Sequence, residues 1–340
     1  MEYRISVKAE PMTLYVDDDN VTGPWNGTKE HPYQNITNAL EHAIDGDTIF
    51  VRAGIYHEHV VVNKSVSLIG EDRDSTIVDG SGTGIVINIS TPANNVKFQG
   101  FTVRNGGSGA VVSDSGIFID HSSDNNISHN IIRNNFYGVN LQYSSRNVIS
   151  DNIVSLGTFI GVSLSSNSFN NVVSGNTIMD NSDGVSLSFY SFNNVVSDNI
   201  IFSNNNNGIS LYSSSNNIIS GNTISSNNYG MYLASSSSNN IIYCNNFNNT
   251  YQVETDLIST NVWDDGNEGN YWSDYKGQDL NGDGIGDTSY AIEVNNQDNH
   301  PLMGMFSEFS VTSEGKRYHV TIICNSTISG FKFEIGPETG

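Results

Sequence analysis

Oxygen-bearing side chains recur at every second position in Asp279-x-Asn281-x-Asp283-Gly284-x-x-Asp287. Together with the main-chain carbonyl of Ile285 they can converge on one hard cation, while Gly284 permits the sharp turn that such a loop needs; calcium is the expected ion. The twelfth position of the loop is Tyr290, where a bidentate Glu would stand, so Asp274, Glu293 or Asp298 has to complete the shell. No nucleophile or base lies inside the motif, and the expected role of the ion is structural. The competing reading is a solvated acidic turn. A second group with chemical potential is Asp120, His121, Asp124, His129, Arg133 and Asp151, in which His129 and Asp151 fall at equivalent positions of a repeat. Glycosidase or lyase chemistry would need paired carboxylates, or a metal with a nearby base, on one face. Ordinary surface polarity is the alternative. Trp263, Tyr271, Trp272 and Tyr275 can offer a platform for stacking sugars, or can cover the end of an apolar core.

The remaining reactive groups are few. Cys244 and Cys324 fit no metal or redox spacing, but one bridge between them would tie the terminal strands to the body of an exported protein. Eight N-x-Ser/Thr sites (Asn20, Asn26, Asn35, Asn63, Asn88, Asn126, Asn248 and Asn325) fit an exported glycoprotein. A formal charge of −22 argues against nucleic acid and anionic membranes as partners. Eleven of the 36 acids lie between Glu254 and Asp298, where Lys276 is the one base. No stretch approaches the roughly 18 apolar residues of a membrane span, and any export signal or anchor is expected outside this sequence.

What must position these groups is a repeat. NNISHNII, NVISDNIV, NVVSGNTI, NVVSDNII, NIISGNTI and NIIYCNNF carry marker asparagines Asn130, Asn152, Asn176, Asn199, Asn222 and Asn245, spaced 22, 24, 23, 23 and 23 residues apart. A glycine marker keeps step at Gly116, Gly138, Gly161, Gly184, Gly208 and Gly230. Ile218, Ser220, Asn222 and Ile224 alternate with period two, as do Ile209 and Leu211, so both pieces read as strands with Gly and Ser-Asn corners. One such repeat cannot bury its apolar face, but stacked repeats can. The spacing predicts an all-β, right-handed parallel β-helix of about 23 residues per rung, with the marker asparagines in an amide ladder. Less regular rungs are expected through Ser67 to Gly70, Gly84 to Asn88 and Val96 to Val103. The segment NITNALEHAI, with Ile36, Ala39, Leu40, Ala43 and Ile44 on one face, predicts a helix that plugs the first rung. The divisions are a cap and first strand over 1–60, rungs over 61–250, an acidic aromatic cap over 251–303, and alternating strands over 304–340 that look like the start of a β-sandwich.

The segments TLYVDDDN, HPYQNITNALEHAIDGDTIFVRAGIYHEHVVVNKSVSLIGE, the NNIISGN repeats and NVWDDGNEGNYWSDYKGQDLNGDGIGDTSYAIEVNNQDNHPLM together resemble the NosD-like, or carbohydrate-binding and sugar-hydrolase, parallel β-helix family of archaeal surface type. The resemblance implies an extracellular or cell-surface location, with envelope polysaccharide or other surface proteins as partners and self-assembly as a further role. A non-catalytic structural or glycan-binding module is the first expectation, a polysaccharide lyase or glycoside hydrolase the second, and copper handling the third. Copper would draw on His57 and His59, two apart on one strand, but Met303 and Met305 lie far off in sequence and the cysteines are isolated.

Overall fold

The computed structural model describes residues 10–109 and 114–306, and the backbone of strands Phe309–Glu314 and Arg317–Ile322. Almost all of it is one right-handed parallel β-helix of about ten turns. Each regular rung contributes a strand to each of three parallel sheets, of ten, ten and nine strands. In the rung from residue 207 to 225, Asn207–Tyr212 lies on the nine-stranded face, Ile218–Ser220 on the first ten-stranded face and Thr223–Ser225 on the second. These are called the third, first and second faces.

The rung thus has one more corner than the alternation of Ile218, Ser220, Asn222 and Ile224 predicts. Ile219 is fully buried whereas Ile218 is 36% exposed, because Gly221 at φ +69° turns the chain between them and Asn222 and resets the phase. The same left-handed corner is taken by His129, Asp151, Gly175, Asp198 and Cys244. In the upstream rungs, Val96 to Val103 is likewise divided, into Lys97–Gln99 and Thr102–Arg104 with Gly100 at φ +81° between them. Ser67–Gly70 is a strand as expected, and Ile87–Ser90 lies three residues beyond the expected start at Gly84.

The core is a stack of inward Val, Ile and Leu, such as Val162 and Leu164 over Val185 and Leu187, all fully buried. The glycine column has a steric cause. A Cβ on Gly184 would stand 2.5 Å from the carbonyl oxygen of Gly208, and one on Gly208 would stand 2.7 Å from that of Gly230. The corners are held by amides. In the predicted ladder, Asn176 donates from its main-chain N–H (2.9 Å) and its Nδ2 (3.0 Å) to Oδ1 of Asn199, which donates in the same way to Asn222. The ladder runs on through Asn245 to Asn270.

Two more ladders occupy the other corners. Asn125, Asn147, Asn171, Asn194, Asn217, Asn240 and Asn261 form one, all hydrogen-bonded rung to rung. Asn181, Asn204, Asn227 and Asn249 form the other. Both were hidden in the Ser-Asn runs, which read as solvent-facing turns until their burial is seen.

The helix Ile36–His42 covers the first rungs, with Asn35 accepting from Asn38 N–H at its N-cap and Ile36, Ala39, Leu40 and Ala43 buried. Ile44 lies past the helix and is 39% exposed, so it takes no part in the plug. At the other end, Phe247 stacks on Trp272 at 4.5 Å and Trp272 on Tyr290 at 4.3 Å. The strands beyond residue 304 form a two-stranded antiparallel hairpin.

Candidate functional site

Along the middle of the third face, from strand Tyr137–Gln142 to strand Asp183–Ser188, the inward Val and Leu residues are apolar and the outward residues between them are Asn or Ser. Asn140, Ser163 and Ser186 are paired in register, and beside them Gln142, Ser165 and Ser188 continue the floor of a groove of about 590 Å³. One wall is a cluster in which Phe136 stacks on Phe159 at 5.0 Å and Tyr137 meets Phe159 edge-on at 5.4 Å. The opposite wall carries Phe189 and Tyr212, 6.0 Å apart and T-shaped, with Tyr190 next in the chain. Phe189, Tyr190 and Tyr212 are 57%, 69% and 47% exposed. Along the axis, Phe118 precedes Asn140 in the outward column and Tyr232 follows Ser210.

The backbone under the second wall is unusual. Tyr143, Phe189 and Tyr190 have φ of +48°, +51° and +65°. A bulky residue in that region is disfavoured, and the matching corners of neighbouring rungs use Ser166, Asn167, Ser213, Ser235 and Ser236. These aromatics therefore stand where backbone preference and solvation both oppose them. Asp183 is the acid lining the groove; its Oδ1 accepts from the main-chain N–H and Nδ2 of Asn207, both at 3.2 Å. Nothing in the sequence repeat singled out this groove. Its aromatics come from four separate rungs and meet only through the stacking register.

The residues singled out by type are dispersed. Asp120 pairs with His121 at 2.7 Å, and His121 stacks on Tyr143 at 4.7 Å. Asp124 is engaged with Arg146 at 2.7 and 2.8 Å, which holds its carboxyl below the usual carboxylate range. His129 and Asp151 are exposed at the corner between first and second faces, and Arg133 ends a second-face strand. The six do not form one constellation, since each side of the coil holds only part of them. Trp263 and Trp272 are 0% and 1% exposed, so no sugar ring can lie on them. Tyr271 and Tyr275 are half-buried, and the Tyr275 hydroxyl donates to the Thr288 carbonyl.

The 279–287 loop is exposed apart from half-buried Asp279 and Ile285 and buried Gly286. Asp279 accepts from the N–H groups of Gly282, Asp283 and Gly284, Asp283 from that of Ile285, and Asp287 from that of Leu280. Asn281 donates to Asp283 at 2.9 Å. Of the acids expected to complete a calcium shell, Asp274 accepts from the Tyr290 hydroxyl and Glu293 is exposed. Asp298 cannot serve, because it is fully buried and its oxygens accept from Asn270 N–H (2.7 Å), Trp272 Nε1 (2.8 Å) and His300 N–H (3.0 Å). It ends the first amide ladder with an acceptor that has nothing to donate onward. Burial pushes its carboxyl above the usual range, against the pull of these donors.

Cys244 is buried beside Glu268, and burial and that carboxylate push its thiol up to about 12. Cys324 lies outside the described residues, as does Asn325. Asn26, Asn63, Asn126 and Asn248 are exposed, Asn20 and Asn88 half-buried, and Asn35 is occupied in the helix cap. No helix among the described residues is long and apolar enough to cross a membrane.

The family model of NosD, described as a periplasmic copper-binding protein, matches residues 40–277. The chain belongs to the NosD family. No curated protein sequence matches it. Among solved structures, this NosD-family chain is similar to pectate lyase Pel9A, at 16% identity and a TM-score of 0.56 over 76% of this chain and 81% of that one. It is also similar to ORF18 of Geobacillus virus E2 (12%, 0.56, over 94% and 77%) and to a rhamnogalacturonan lyase (14%, 0.52, over 74% and 84%). At these identities the likeness is one of fold.

The copper of the family description finds no matching donor set here. His59 Nδ1 is 2.6 Å from the Ile85 carbonyl and its Nε2 3.3 Å from Thr83 Oγ1, while His57 Nδ1 is 3.4 Å from Ser81 Oγ. Among the described residues no three His, Cys, Asp or Glu side chains come together as a metal site. Met305 lies against Tyr271 and Asn246 on the second face, away from both histidines.

Proposed function

We propose that this chain is a non-catalytic glycan-binding module of the cell surface, and that a polysaccharide lies along the third face between the two aromatic walls. The observation that carries the reading is the set of aromatics lining the groove, Phe189 above all, exposed and held at a disfavoured backbone angle beside a floor of Ser, Asn and Gln. Aromatic faces stack on the apolar faces of sugar rings, and Gln142 and Ser188, half-buried where the other floor residues are buried, supply donors and acceptors for hydroxyls. Cleavage is the second reading, favoured by the fold shared with a pectate lyase and a rhamnogalacturonan lyase. Glycoside hydrolysis uses two carboxylates, whereas Asp183 is the only acid lining the groove.

Retention on a panel of immobilised polysaccharides, followed by assay of the eluate for released sugar, tests both. Binding without product is expected. Phe189→Ala with Tyr190→Ala should weaken it on the order of ten-fold, about 1.4 kcal/mol. Chain shortening that survives Asp183→Asn but not heat would replace binding by an activity located elsewhere, and unchanged retention by the double variant would remove the groove from the reading.

A further inference from the structure

The groove has one sign of charge. The nine strands of the third face include Asp120, Asp183 and Glu254 but no Lys or Arg, and no base lines the groove. The nearest arginine by sequence at the neighbouring corner, Arg146, is tied to Asp124 through two hydrogen bonds. The whole chain carries −22. A polymer with a carboxylate or sulfate on each sugar would bring repeated negative charge to this floor with no guanidinium or ammonium to receive it, although paired cations are the usual means of holding such groups. The floor itself is built from hydroxyls and amides of Ser163, Ser165, Ser186, Ser188, Asn140 and Gln142, all neutral.

From this we infer that the ligand is an uncharged polysaccharide, a chain of hexoses or N-acetylated hexosamines without uronate or sulfate. The inference rests on the glycan-binding reading of the groove and narrows it. The polymer is selected by exclusion as much as by attraction: aromatic walls accept any pyranose face, and the acidic surroundings turn away the anionic ones.

The test is an array of neutral, uronate-bearing and sulfated glycans, probed with the whole chain at low and at high salt. It is joined by titration calorimetry with methyl-esterified and de-esterified galacturonan oligomers, which share one backbone and differ in charge and in the ester methyl group. Retention of neutral members, with anionic members at least ten-fold weaker at low salt and the gap narrowing as salt screens it, is the expected result. Ser188→Lys, at a half-buried position of the groove, should shift the ratio of affinities toward the de-esterified oligomer. Equal or tighter binding of anionic members by the unaltered chain, still lost in the Phe189→Ala, Tyr190→Ala variant, would overturn the inference and leave the groove standing. Failure of every glycan on the array to bind would overturn the groove reading with it.

Discussion

At the scale of the residue, the asparagines are the structural chemistry of this molecule. Asn199 is 1% exposed, and all of its amide is used: Nδ2 donates to Val173 O and Asn222 Oδ1, both at 2.9 Å, and Oδ1 accepts from both nitrogens of Asn176. Leucine at this position leaves the buried main-chain N–H of Asn176 without its acceptor and takes one bond each from Asn176 Nδ2, which keeps Ile149 O and Ser174 O, and from the Val173 carbonyl. Asn199→Leu is therefore expected to destabilise by about 2 kcal/mol, since a buried orphan costs roughly 1–3 kcal/mol. Denaturant unfolding of the two proteins measures it. This ladder was legible because its members keep an even spacing. The Asn125 and Asn181 ladders escaped notice because Asn beside Ser or Asn is what an exposed turn also contains. Cys244 gives a second expectation at this scale: with its thiol pushed up to about 12, its alkylation at neutral pH should be far slower than that of an exposed thiol, and faster only on unfolding. Mass spectrometry after timed labelling reads this directly.

At the scale of the element, the corners decide what can be changed. Gly184→Ala would place a methyl group 2.5 Å from the Gly208 carbonyl, a main-chain atom fixed on both sides by its own rungs. A lowered melting temperature is expected, and alanine at Gly82, where nothing lies within 4 Å but φ is +82°, should be milder. The second face also carries a pH-sensitive link. Asp79 is buried; burial by itself raises its carboxyl, but the Ser81 N–H, Arg104 and Asn105 together bring it below the usual range. A depressed folded value means the unfolded chain binds the proton first, so this contribution is full above about pH 4 and is lost as pH falls through the lower folded value. Melting curves between neutral pH and about pH 3 should show that loss, reduced in Asp79→Asn. For the acidic loop, we propose calcium as the ion that turns Asp279, Asn281, Asp283 and Asp287 outward from their own amides. Calcium at 100 times Kd should then stabilise by about 2.7 kcal/mol, and chelator should remove the gain. Asp283→Ala with an unaltered calcium response would leave the loop a solvated turn. The phase error at Ile218 belongs to this scale as well: period-two alternation has no means of showing a left-handed corner in mid-run, although Gly221 and Asp198 at the same place were a usable sign.

At the scale of the whole molecule, the rungs and the covering helix could be read from the repeat, since stacking is the one way short strands with a single apolar edge can hide it. The groove could not, because it is a property of neighbours about 4.8 Å apart in space and about 23 residues apart in the chain. All three ladders are directional, each side-chain oxygen accepting from the asparagine of the rung before it, and Asp298 is where the first one stops. Any whole rung placed between two others receives and passes on the same bonds. A second copy of residues 176–198, inserted after Asp198, should fold with undiminished stability, whereas an insertion of half that length should not, and thermal unfolding would separate the two. The inserted copy would also duplicate Ser186, Phe189 and Tyr190. The molecule is in this sense a ruler: adding one graduation lengthens the track on which a polymer is measured, so the shortest oligosaccharide that saturates binding should grow with the number of rungs rather than with any change in their residues.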